Sequence, residues 1–292
     1  MIKVVGHSNF KVYTKIINDN IYIIKKSNKS NKDELIGQMN KQKEMYYNNF
    51  LIDIKIPKIF NEIFYEDCIE YQMEYIDESV NIVDFLTKYN FIKIGWFIKK
   101  VIYIIDEFIS KSKFQKIDQI ILEEKLININ YKISNNDYFR NSEIIKNSFE
   151  YLYKNINDIL SIEIPIGICH GDLTLSNILI DANNMDIYLI DFLNSFIETP
   201  LFDIIKIRQD TKYYWILNLC KFEYDNNKIK IILNYIDKII NLYFKKYEFY
   251  EKLYKYFQII NILRIIQYCK EEKIAVFLNE ILNGILSSIT NI

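Results

Sequence analysis

The sequence predicts an α+β fold of two lobes, with a small N-terminal antiparallel sheet and one helix followed by a larger, mostly helical part. Three observations carry this prediction. Short β-rich runs dominate the first part of the chain, apolar residues then recur at helical spacing, and a pair of short β runs interrupts the helical part. The chain has 292 residues, and 50% of them are hydrophobic, which is enough to bury cores of this size.

The small lobe is expected over residues 1–75 and the larger lobe over residues 76–292. Lys11–Ile17 and Ile21–Lys26 are rich in isoleucine, valine and tyrosine, which favour strands. The polar turn Asn18-Asp19-Asn20 separates them, which is typical of a β-hairpin.

A helix and two further strands complete the predicted small lobe. Asp33–Asn49 carries apolar residues spaced for one helical face. Pro57 follows, and extended runs come at Lys58–Phe64 and Cys68–Tyr75. With Ile2–Val5 counted as the first strand, the predicted order is β-β-β-α-β-β.

Helical periodicity takes over in the larger lobe. Ile94–Ile109 has a continuous apolar stripe, and helical segments continue to about Leu160. Pro165 and Gly167 then break the chain. After two short β runs, the sequence from Pro200 predicts helix almost to its end.

Composition excludes several classes of function. A net charge of −1 and a pI near 6.2 argue against nucleic acid as a partner, although abundant lysine leaves a local basic patch open. Four cysteines without a CxxC pair and only two histidines argue against a zinc site. With no signal-peptide pattern and no apolar run long enough for a membrane span, we expect a cytoplasmic protein with reduced cysteines. The oligomeric state is left open.

Two sequence features point to chemistry. The first is an HxDxxxxN pattern formed by His170, Asp172 and Asn177. The second is the apolar β run Ile187–Ile190, which ends at Asp191. The short predicted hairpin between the two features returns the chain, so that Asn177 and Asp191 are expected to face one metal ion. The alternative is an ordinary tight turn with solvated Asp and Asn side chains.

Phosphoryl transfer explains why these residue types occur in this pattern. One carboxylate must orient the acceptor hydroxyl and take its proton, which is the role predicted for Asp172. Mg²⁺ prefers hard oxygen ligands, which Asn177 and Asp191 offer. His170 is expected to hold the loop by hydrogen bonding rather than to react.

These residues resemble the aminoglycoside phosphotransferase and choline kinase superfamily, which has a protein-kinase-like fold. Its members carry HGDxxxxN followed by an IDF or IDW run, and both stand here intact, as His170–Asp172 with Asn177 and as Ile190–Phe192. The resemblance implies a bilobal protein-kinase-like fold with Mg²⁺ and ATP or GTP in the cleft. It also implies a small-molecule kinase, a phosphotransferase with an alcohol group as acceptor.

The resemblance also implies phosphate-binding residues near the N-terminus. Gly6, Ser8 and Asn9 look like the family's GxxN-type turn, whose backbone N–H groups meet phosphate. An ordinary hairpin turn is the alternative. The lysine that reaches the α- and β-phosphates is expected to be Lys25, with strand alternation leaving Lys26 open.

Three further roles follow from the same resemblance. A helix glutamate should pair with the phosphate-binding lysine, and Glu44 is the candidate, with Gln42 in a nearby register and a solvated helix face as the alternative. Glu74 and Ile76 look like the hinge whose backbone meets the purine, although core packing explains them as well. Asp203 is expected to brace the catalytic loop, with an N-cap role as the alternative.

The sequence does not identify the acceptor pocket. Aromatic rings can hold a quaternary ammonium group by cation–π contact, but core packing explains them equally well. The aromatic candidates are Trp96, Tyr213, Tyr214 and Trp215. Acidic side chains can bind cationic aminoglycosides, but a solvated face explains them too. The acidic candidates are Glu223, Asp225 and Glu251.

The expected acceptor is a choline-like amino alcohol or a sugar or polyol, for example in the decoration of surface glycans. An aminoglycoside O-phosphotransferase is the alternative enzyme. A catalytically silent, nucleotide-binding pseudokinase is the alternative of another class, but the complete Asp172, Asn177 and Asp191 set weighs against it. Few residues separate Asp191 from the helix at Pro200, which weighs against a protein kinase with an activation segment.

Overall fold

The computed structural model describes residues 10–181, 183–219 and 224–290. These residues divide into two compact units. Unit one comprises the described residues 10–107, 170–181, 183–194 and 224–229. Unit two comprises the described residues 108–169, 195–219 and 230–290. The predicted lobe boundary at residue 75 stays a prediction.

The described residues form short strands and longer helices. The strands are β1 Lys11–Ile17, β2 Asn20–Lys26, β3 Ile54–Lys55, β4 Ile59–Phe64, β5 Ile69–Glu74, β6 Ser79–Asn81, β7 Lys113–Lys116, β8 Glu163–Ile166, β9 Ile178–Asp181 and β10 Asp186–Leu189. The helices are α1 Lys32–Asn48, α2 Ile82–Lys88, α3 Phe91–Lys111, α4 Gln119–Ser134, α5 Glu143–Lys154, α6 Ile156–Ser161, α7 Pro200–Lys212, α8 Trp215–Leu219, α9 Asn226–Phe244, α10 Glu248–Ile266 and α11 Glu272–Thr290.

The first sheet of unit one is antiparallel, with the strand order β1-β2-β5-β4. The predicted hairpin is present, because β1 and β2 pair in continuous register from Lys11 opposite Lys26 to Ile17 opposite Asn20. Asn18 and Asp19 both have positive φ at the turn, as a tight two-residue hairpin loop requires. The N-terminal strand predicted at Ile2–Val5 lies outside the described residues.

Helix α1 packs one face against this sheet. Leu35 and Met39 bury their side chains in a cluster with Ile69, Tyr71 and Met73 of β5, because they lie four residues apart on one side of the helix. Such a shared apolar core fixes the helix against the strands. The polar residues that lie on or beside this helix face are therefore held in defined positions.

The second sheet of unit one has the order β3-β10-β9-β6. The β9–β10 hairpin starts directly after Asn177 and ends just before Asp191, as the sequence predicts. Ile178, Ile180 and Leu189 are fully buried, which anchors both arms of the hairpin. The two-residue strand β3 runs parallel to β10, and β6 pairs with β9. Short strands of this kind give no period-2 pattern, so the sequence did not predict β3 or β6.

Unit two is mainly helical, with one small hairpin in which β7 pairs with β8. Most of α7 and most of α10 are buried. Inside this core, Arg208 of α7 donates from Nε and Nη2 to the two carboxylate oxygens of Asp237, at 2.8 Å each. Its Nη1 donates to Asn241 at 2.8 Å and to the Tyr250 hydroxyl at 2.6 Å. The α+β fold class is confirmed.

Across the described ranges, no helix combines the length and the apolar character needed to cross a membrane. Three of the four cysteines lie in the described part of the chain, and Cys68, Cys169 and Cys269 are all free thiols.

Candidate active site

The turn between β8 and β9 joins Asp172 to Asn177. The side-chain Nδ2 of Asn177 donates to the backbone oxygen of Asp172 at 2.8 Å and to its Oδ2 at 3.1 Å. The backbone N–H of Thr174 also donates to the Asp172 backbone oxygen, at 2.7 Å. Asn177 is buried, whereas Asp172 is only partly buried. Because the Asn177 side-chain nitrogen donates to Asp172, its Oδ1 is the side-chain atom that can bind a metal ion.

His170 holds this turn against the segment that follows β10. Its Nε2 lies 2.9 Å from the Ile190 carbonyl oxygen, and its Nδ1 accepts from the backbone N–H of Asp172 at 3.3 Å. A carbonyl oxygen only accepts, so the ring proton lies on Nε2. The ring also stacks on Phe192 at 4.3 Å between centroids. Complete burial lowers the pKa of His170 to about 4, so the ring is neutral near pH 7 and suits a structural role.

Gly171 permits a very close approach of two backbone segments. A Cβ atom at this position would lie 1.9 Å from the Leu193 carbonyl oxygen, and the residue has φ of +84°. The backbone N–H of Leu193 donates to the His170 carbonyl oxygen at 3.0 Å. Only glycine fits here, so the middle residue of the HGD motif is needed for packing as well as for backbone conformation.

Lys25 of β2 reaches the residue predicted to bind the metal. Its Nζ lies 2.9 Å from Asp191 Oδ1. Lys25 is buried, whereas Lys26 is partly exposed and pairs with Glu70 at 3.3 Å. Of the two lysines that strand alternation left open, the structure therefore brings Lys25 to Asp191.

The predicted pairing of Glu44 with Lys25 is wrong. The α1 side chain that meets Lys25 is Gln38, whose Oε1 accepts from Lys25 Nζ at 2.7 Å. Glu44 lies on the exposed side of α1, and Gln42 donates to the Pro57 carbonyl oxygen instead. Gln38 lies one residue from Met39 on the face that packs against the sheet. The sequence carries no signal for this contact, because the apolar spacing of α1 does not fix how the helix is rotated against the sheet.

The remaining predicted nucleotide-binding residues have a mixed outcome. Gly6, Ser8 and Asn9 lie outside the described residues. Glu74 ends β5, opposite Tyr22 of β2, and its side chain accepts from the backbone N–H of Lys58 at 3.2 Å. The Ile76 carbonyl oxygen accepts from the Ser79 hydroxyl at 3.0 Å. The purine contacts of Glu74 and Ile76 stay a prediction.

Asp203 is fully buried in the first turn of α7. The N-cap of that helix is Thr199, whose hydroxyl accepts from the backbone N–H of Leu201 at 3.3 Å. The alternative N-cap role for Asp203 is therefore wrong. Its bracing role stays a prediction.

The donor set fits a hard divalent cation. Asn177 presents a side-chain oxygen, and the carboxylate of Asp191 is 38% exposed, so an arriving ion can reach it. No group of three or more His, Cys, Asp or Glu side chains suited to a metal is found within residues 10–181, 183–219 and 224–290. Mg²⁺ commonly binds one or two protein oxygens and takes its other ligands from phosphates and water.

The candidate acceptor residues are engaged within the protein. In unit two, the Lys212 ammonium lies over the Tyr213 ring at 5.0 Å, and the Lys230 ammonium lies over the Tyr214 ring at 5.5 Å. Trp215 packs against Phe277, and in unit one Trp96 packs against Phe85.

The acidic candidates form no cluster in the described residues. Asp225 of unit one accepts from the backbone N–H groups of Asn227 and Lys228 at the start of α9. Glu251 is exposed on α10 of unit two. Glu223 lies outside the described residues.

Residues 131–215 of the chain match the profile described as "Phosphotransferase enzyme family" (APH). This segment contains the HGDxxxxN motif and the IDF run. None of the curated proteins compared matches the chain.

Solved structures share the fold over almost the whole chain. A thermostable mutant of aminoglycoside phosphotransferase APH(4)-Ia has a TM-score of 0.66 at 11% identity, covering 98% of this chain and 94% of that one. A putative fructosamine-3-kinase from Haemophilus somnus has a TM-score of 0.57 at 14% identity, covering 98% and 90%. An ethanolamine kinase from Plasmodium vivax has a TM-score of 0.52 at 12% identity, covering 97% and 81%.

At these identities the neighbours show a common fold. Together with the matched segment, they support the predicted resemblance to the aminoglycoside phosphotransferase and choline kinase superfamily. The matched segment also supports a phosphotransferase.

Proposed function

We propose that this chain transfers the γ-phosphoryl group of ATP or GTP to a hydroxyl group of a small molecule, in a reaction that requires Mg²⁺. The observation that carries the proposal is the 2.9 Å pairing of Lys25 with Asp191, in the same compact unit as the Asp172–Asn177 turn. In this proposal Lys25 is the phosphate-binding cation, Asp191 the metal-binding carboxylate and Asp172 the base, and all three residues belong to one compact unit. One neighbouring structure, of APH(4)-Ia, is a ternary complex with ADP and hygromycin B, which supports a nucleotide co-substrate.

Each side chain has a distinct task in this proposal. The Asp172 carboxylate accepts the hydroxyl proton as the acceptor oxygen forms its bond to the γ-phosphorus. The bond from the γ-phosphorus to the bridging oxygen breaks, and the nucleoside diphosphate leaves with the electron pair. Lys25 holds the phosphates, and Asn177 and Asp191 would hold Mg²⁺, which neutralises phosphate charge when bound.

The nucleotide's other contacts complete the proposal. Backbone groups of Glu74 and Ile76 meet the purine, and the predicted phosphate contacts of Gly6, Ser8 and Asn9 lie outside the described residues. His170 is not a reacting group, because it is fully buried and both ring nitrogens are engaged.

A sugar or polyol is the acceptor that the side-chain contacts favour. The aromatic faces that would receive a quaternary ammonium group at Tyr213 and Tyr214 are covered by Lys212 and Lys230. A choline-like acceptor would have to displace one of these cations and would be repelled by it. A neutral hydroxyl-rich acceptor meets no such repulsion.

The other candidate functions have less support. An aminoglycoside acceptor would need concentrated negative charge, but Asp225 is engaged in capping a helix and Glu251 is exposed. A pseudokinase would not need the base, yet Asp172 is present and is oriented by Asn177.

A phosphorylation screen tests the proposal. Nucleoside diphosphate release is measured with ATP or GTP against sugars, polyols, amino alcohols and aminoglycosides. Wild type should turn over a sugar or polyol, and Asp172→Asn should lower kcat by at least about 100-fold. The matched control Asp137→Asn changes an exposed aspartate of unit two and should behave as wild type.

Nucleotide binding is measured in parallel with a fluorescent ATP analogue. Asp172→Asn should bind Mg²⁺-nucleotide within about threefold of wild type, because the base is not a phosphate ligand. Mg²⁺-dependent binding without turnover of any acceptor would identify a pseudokinase. Undiminished turnover in Asp172→Asn would remove the base assigned here.

A further inference from the structure

Helix α1 contacts the segment that carries Asp191 in two ways, through Lys25 and directly. Gln38 holds Lys25, and Lys25 in turn contacts Asp191. One helical turn further on, Lys41 Nζ donates to the Leu193 carbonyl oxygen at 2.7 Å. Gln38 and Lys41 are three residues apart, so both project from one side of α1.

The Lys41 ammonium lies where two functional segments touch. A Cβ atom on Gly171 would be 3.2 Å from Lys41 Nζ and 1.9 Å from the Leu193 carbonyl oxygen. The turn that carries Asp172 and the segment that carries Asp191 therefore meet backbone to backbone, beside this ammonium. The positive charge of Lys41 also contributes to the lowered pKa of His170, after burial, which is the main cause.

We infer that Lys41 is a positioning residue of the phosphotransfer site. From α1, its ammonium fixes the Leu193 carbonyl against the Gly171 turn and so sets the separation between the metal ligand Asp191 and the base Asp172. The catalytic consequence of this role rests on the proposed function. The anchoring of the Leu193 segment, however, is a property of the protein alone.

An effect of the Lys41 charge alone and a positioning role of Lys41 predict opposite changes in metal binding when the ammonium is removed. Removing a positive charge beside the segment that carries Asp191 strengthens the attraction of a divalent cation by Coulomb's law. Removing the anchor of the segment that carries Asp191 weakens metal binding, because supporting contacts to metal ligands typically contribute about 10- to 100-fold in affinity or activity. The direction of the change in Mg²⁺ requirement therefore separates the two explanations.

The test compares three substitutions in the full-length chain. Lys41→Met keeps most of the aliphatic stem but removes the donor, and Lys41→Arg restores a donor. Lys43→Met is the matched control on the same helix, because Lys43 pairs with Glu62 of β4 and not with the Leu193 segment. Two quantities are measured: the Mg²⁺ concentration that half-saturates binding of a fluorescent ATP analogue, and hydrogen exchange of peptides covering residues 190–194.

Lys41→Met should raise the Mg²⁺ requirement about 10- to 100-fold and speed exchange over residues 190–194, where the Leu193 amide bonds to the His170 carbonyl. Lys41→Arg should lie close to wild type, and Lys43→Met should match wild type in both measurements. An unchanged or lowered Mg²⁺ requirement in Lys41→Met would overturn the inference, as would an equal loss in Lys43→Met.

The exchange measurement keeps this inference separate from the proposed function. If wild type binds no Mg²⁺-nucleotide, the proposed function fails and exchange alone decides the role of Lys41. Faster exchange in Lys41→Met and not in Lys43→Met then supports the anchor, and equal exchange in all variants overturns it.

Discussion

The Lys25 ammonium and the Asp191 carboxylate form an ion pair of 2.9 Å between side chains that are 1% and 38% exposed. The cation is enclosed, whereas the carboxylate remains open to an arriving ligand. Lys25 has a second partner in Gln38, which is uncharged. Asp191 is therefore the carboxylate that the structure sets against Lys25, and α1 adds no negative charge at this contact.

The Gln38→Glu substitution tests the importance of that missing charge. A carboxylate at position 38 would sit within hydrogen-bond distance of Lys25 and would compete with the phosphates of a nucleotide. We expect the affinity for ATP to fall about tenfold, or about 1.4 kcal/mol, measured by titration of a fluorescent analogue.

Gln38→Met is the control that removes the hydrogen bond without adding charge. It leaves a buried ammonium short of one acceptor, so it should lower the free energy of unfolding by about 1–3 kcal/mol while changing nucleotide affinity less than Gln38→Glu does. Tighter nucleotide binding in Gln38→Glu than in wild type would contradict the importance given to the neutral partner.

The Gln38 contact also shows where sequence interpretation succeeded and where it failed. The strands from Lys11 to Lys26, the α1 helix and the hairpin between Asn177 and Asp191 are marked by local patterns of apolar residues and turns, so they were predictable. Which α1 side chain meets Lys25 depends on how the helix is rotated and shifted against the sheet. That register is set by the packing of Leu35 and Met39, which no local pattern specifies.

Other features left no sequence signal for a similar reason. The contact of Lys41 with Leu193 joins residues 152 positions apart, and one lysine among many carries no mark of it. Gly171 was recognised as part of a motif, but its need to admit the Leu193 carbonyl is visible only in three dimensions. The two-residue strand β3 is formed by its parallel pairing with β10 rather than by its own propensity.

Gly171→Ala should be strongly destabilising. The new Cβ would lie 1.9 Å from a backbone carbonyl oxygen, which cannot swing aside as the end of a flexible side chain does, and the φ of +84° is unfavourable for alanine. We expect a loss of more than about 3 kcal/mol in the free energy of unfolding, measured by urea denaturation.

Gly95→Ala is the control for this substitution. Gly95 lies within α3, and a Cβ there would meet no atom within 4 Å among the described residues. Alanine at this helix position should stabilise the protein by about 0.5–1 kcal/mol. A small effect of Gly171→Ala, similar in size to that of Gly95→Ala, would show that the backbone segments at Leu193 separate easily.

The buried His170 ring makes stability depend on pH. Burial lowers its pKa from 6.5 to about 4, so between these values the unfolded chain binds a proton that the folded chain does not. Stability is therefore fully present above pH 6.5, falls as the pH drops towards 4, and changes no further below that on account of this residue. Above pH 6.5, the lowered pKa of His170 contributes about 3 kcal/mol to the free energy of unfolding.

His170→Gln removes this titration and serves as the comparison. Urea unfolding of both proteins from pH 7 to pH 4 should give a difference in stability that shrinks as the pH falls, because only wild type loses the His170 contribution. Carboxylates titrate in both proteins, so their effect cancels in the difference. A constant difference over this range would mean that His170 takes up its proton equally in the folded and unfolded states.

The Arg208–Asp237 pair in unit two should contribute far more to stability than the surface ion pairs. Arg208 is 4% exposed, and its guanidinium meets the carboxylate through two bonds of 2.8 Å. Burial alone would lower the pKa of Arg208, but hydrogen bonding to Asp237 outweighs it and raises the pKa. Asp237→Ala leaves this charge enclosed with Asn241 and Tyr250, neither of which can neutralise it, so we expect a loss of about 3–5 kcal/mol.

Thermal or urea unfolding measures that loss, with Asp137→Ala as the control, because Asp137 is 89% exposed where it pairs with Arg140. The control should show no measurable change. Arg208→Lys should not preserve stability either, because one ammonium cannot reproduce the two parallel bonds to the carboxylate and the bonds from Nη1. Equal stability of Asp237→Ala and Asp137→Ala would mean that water reaches the Arg208 guanidinium and replaces the lost carboxylate.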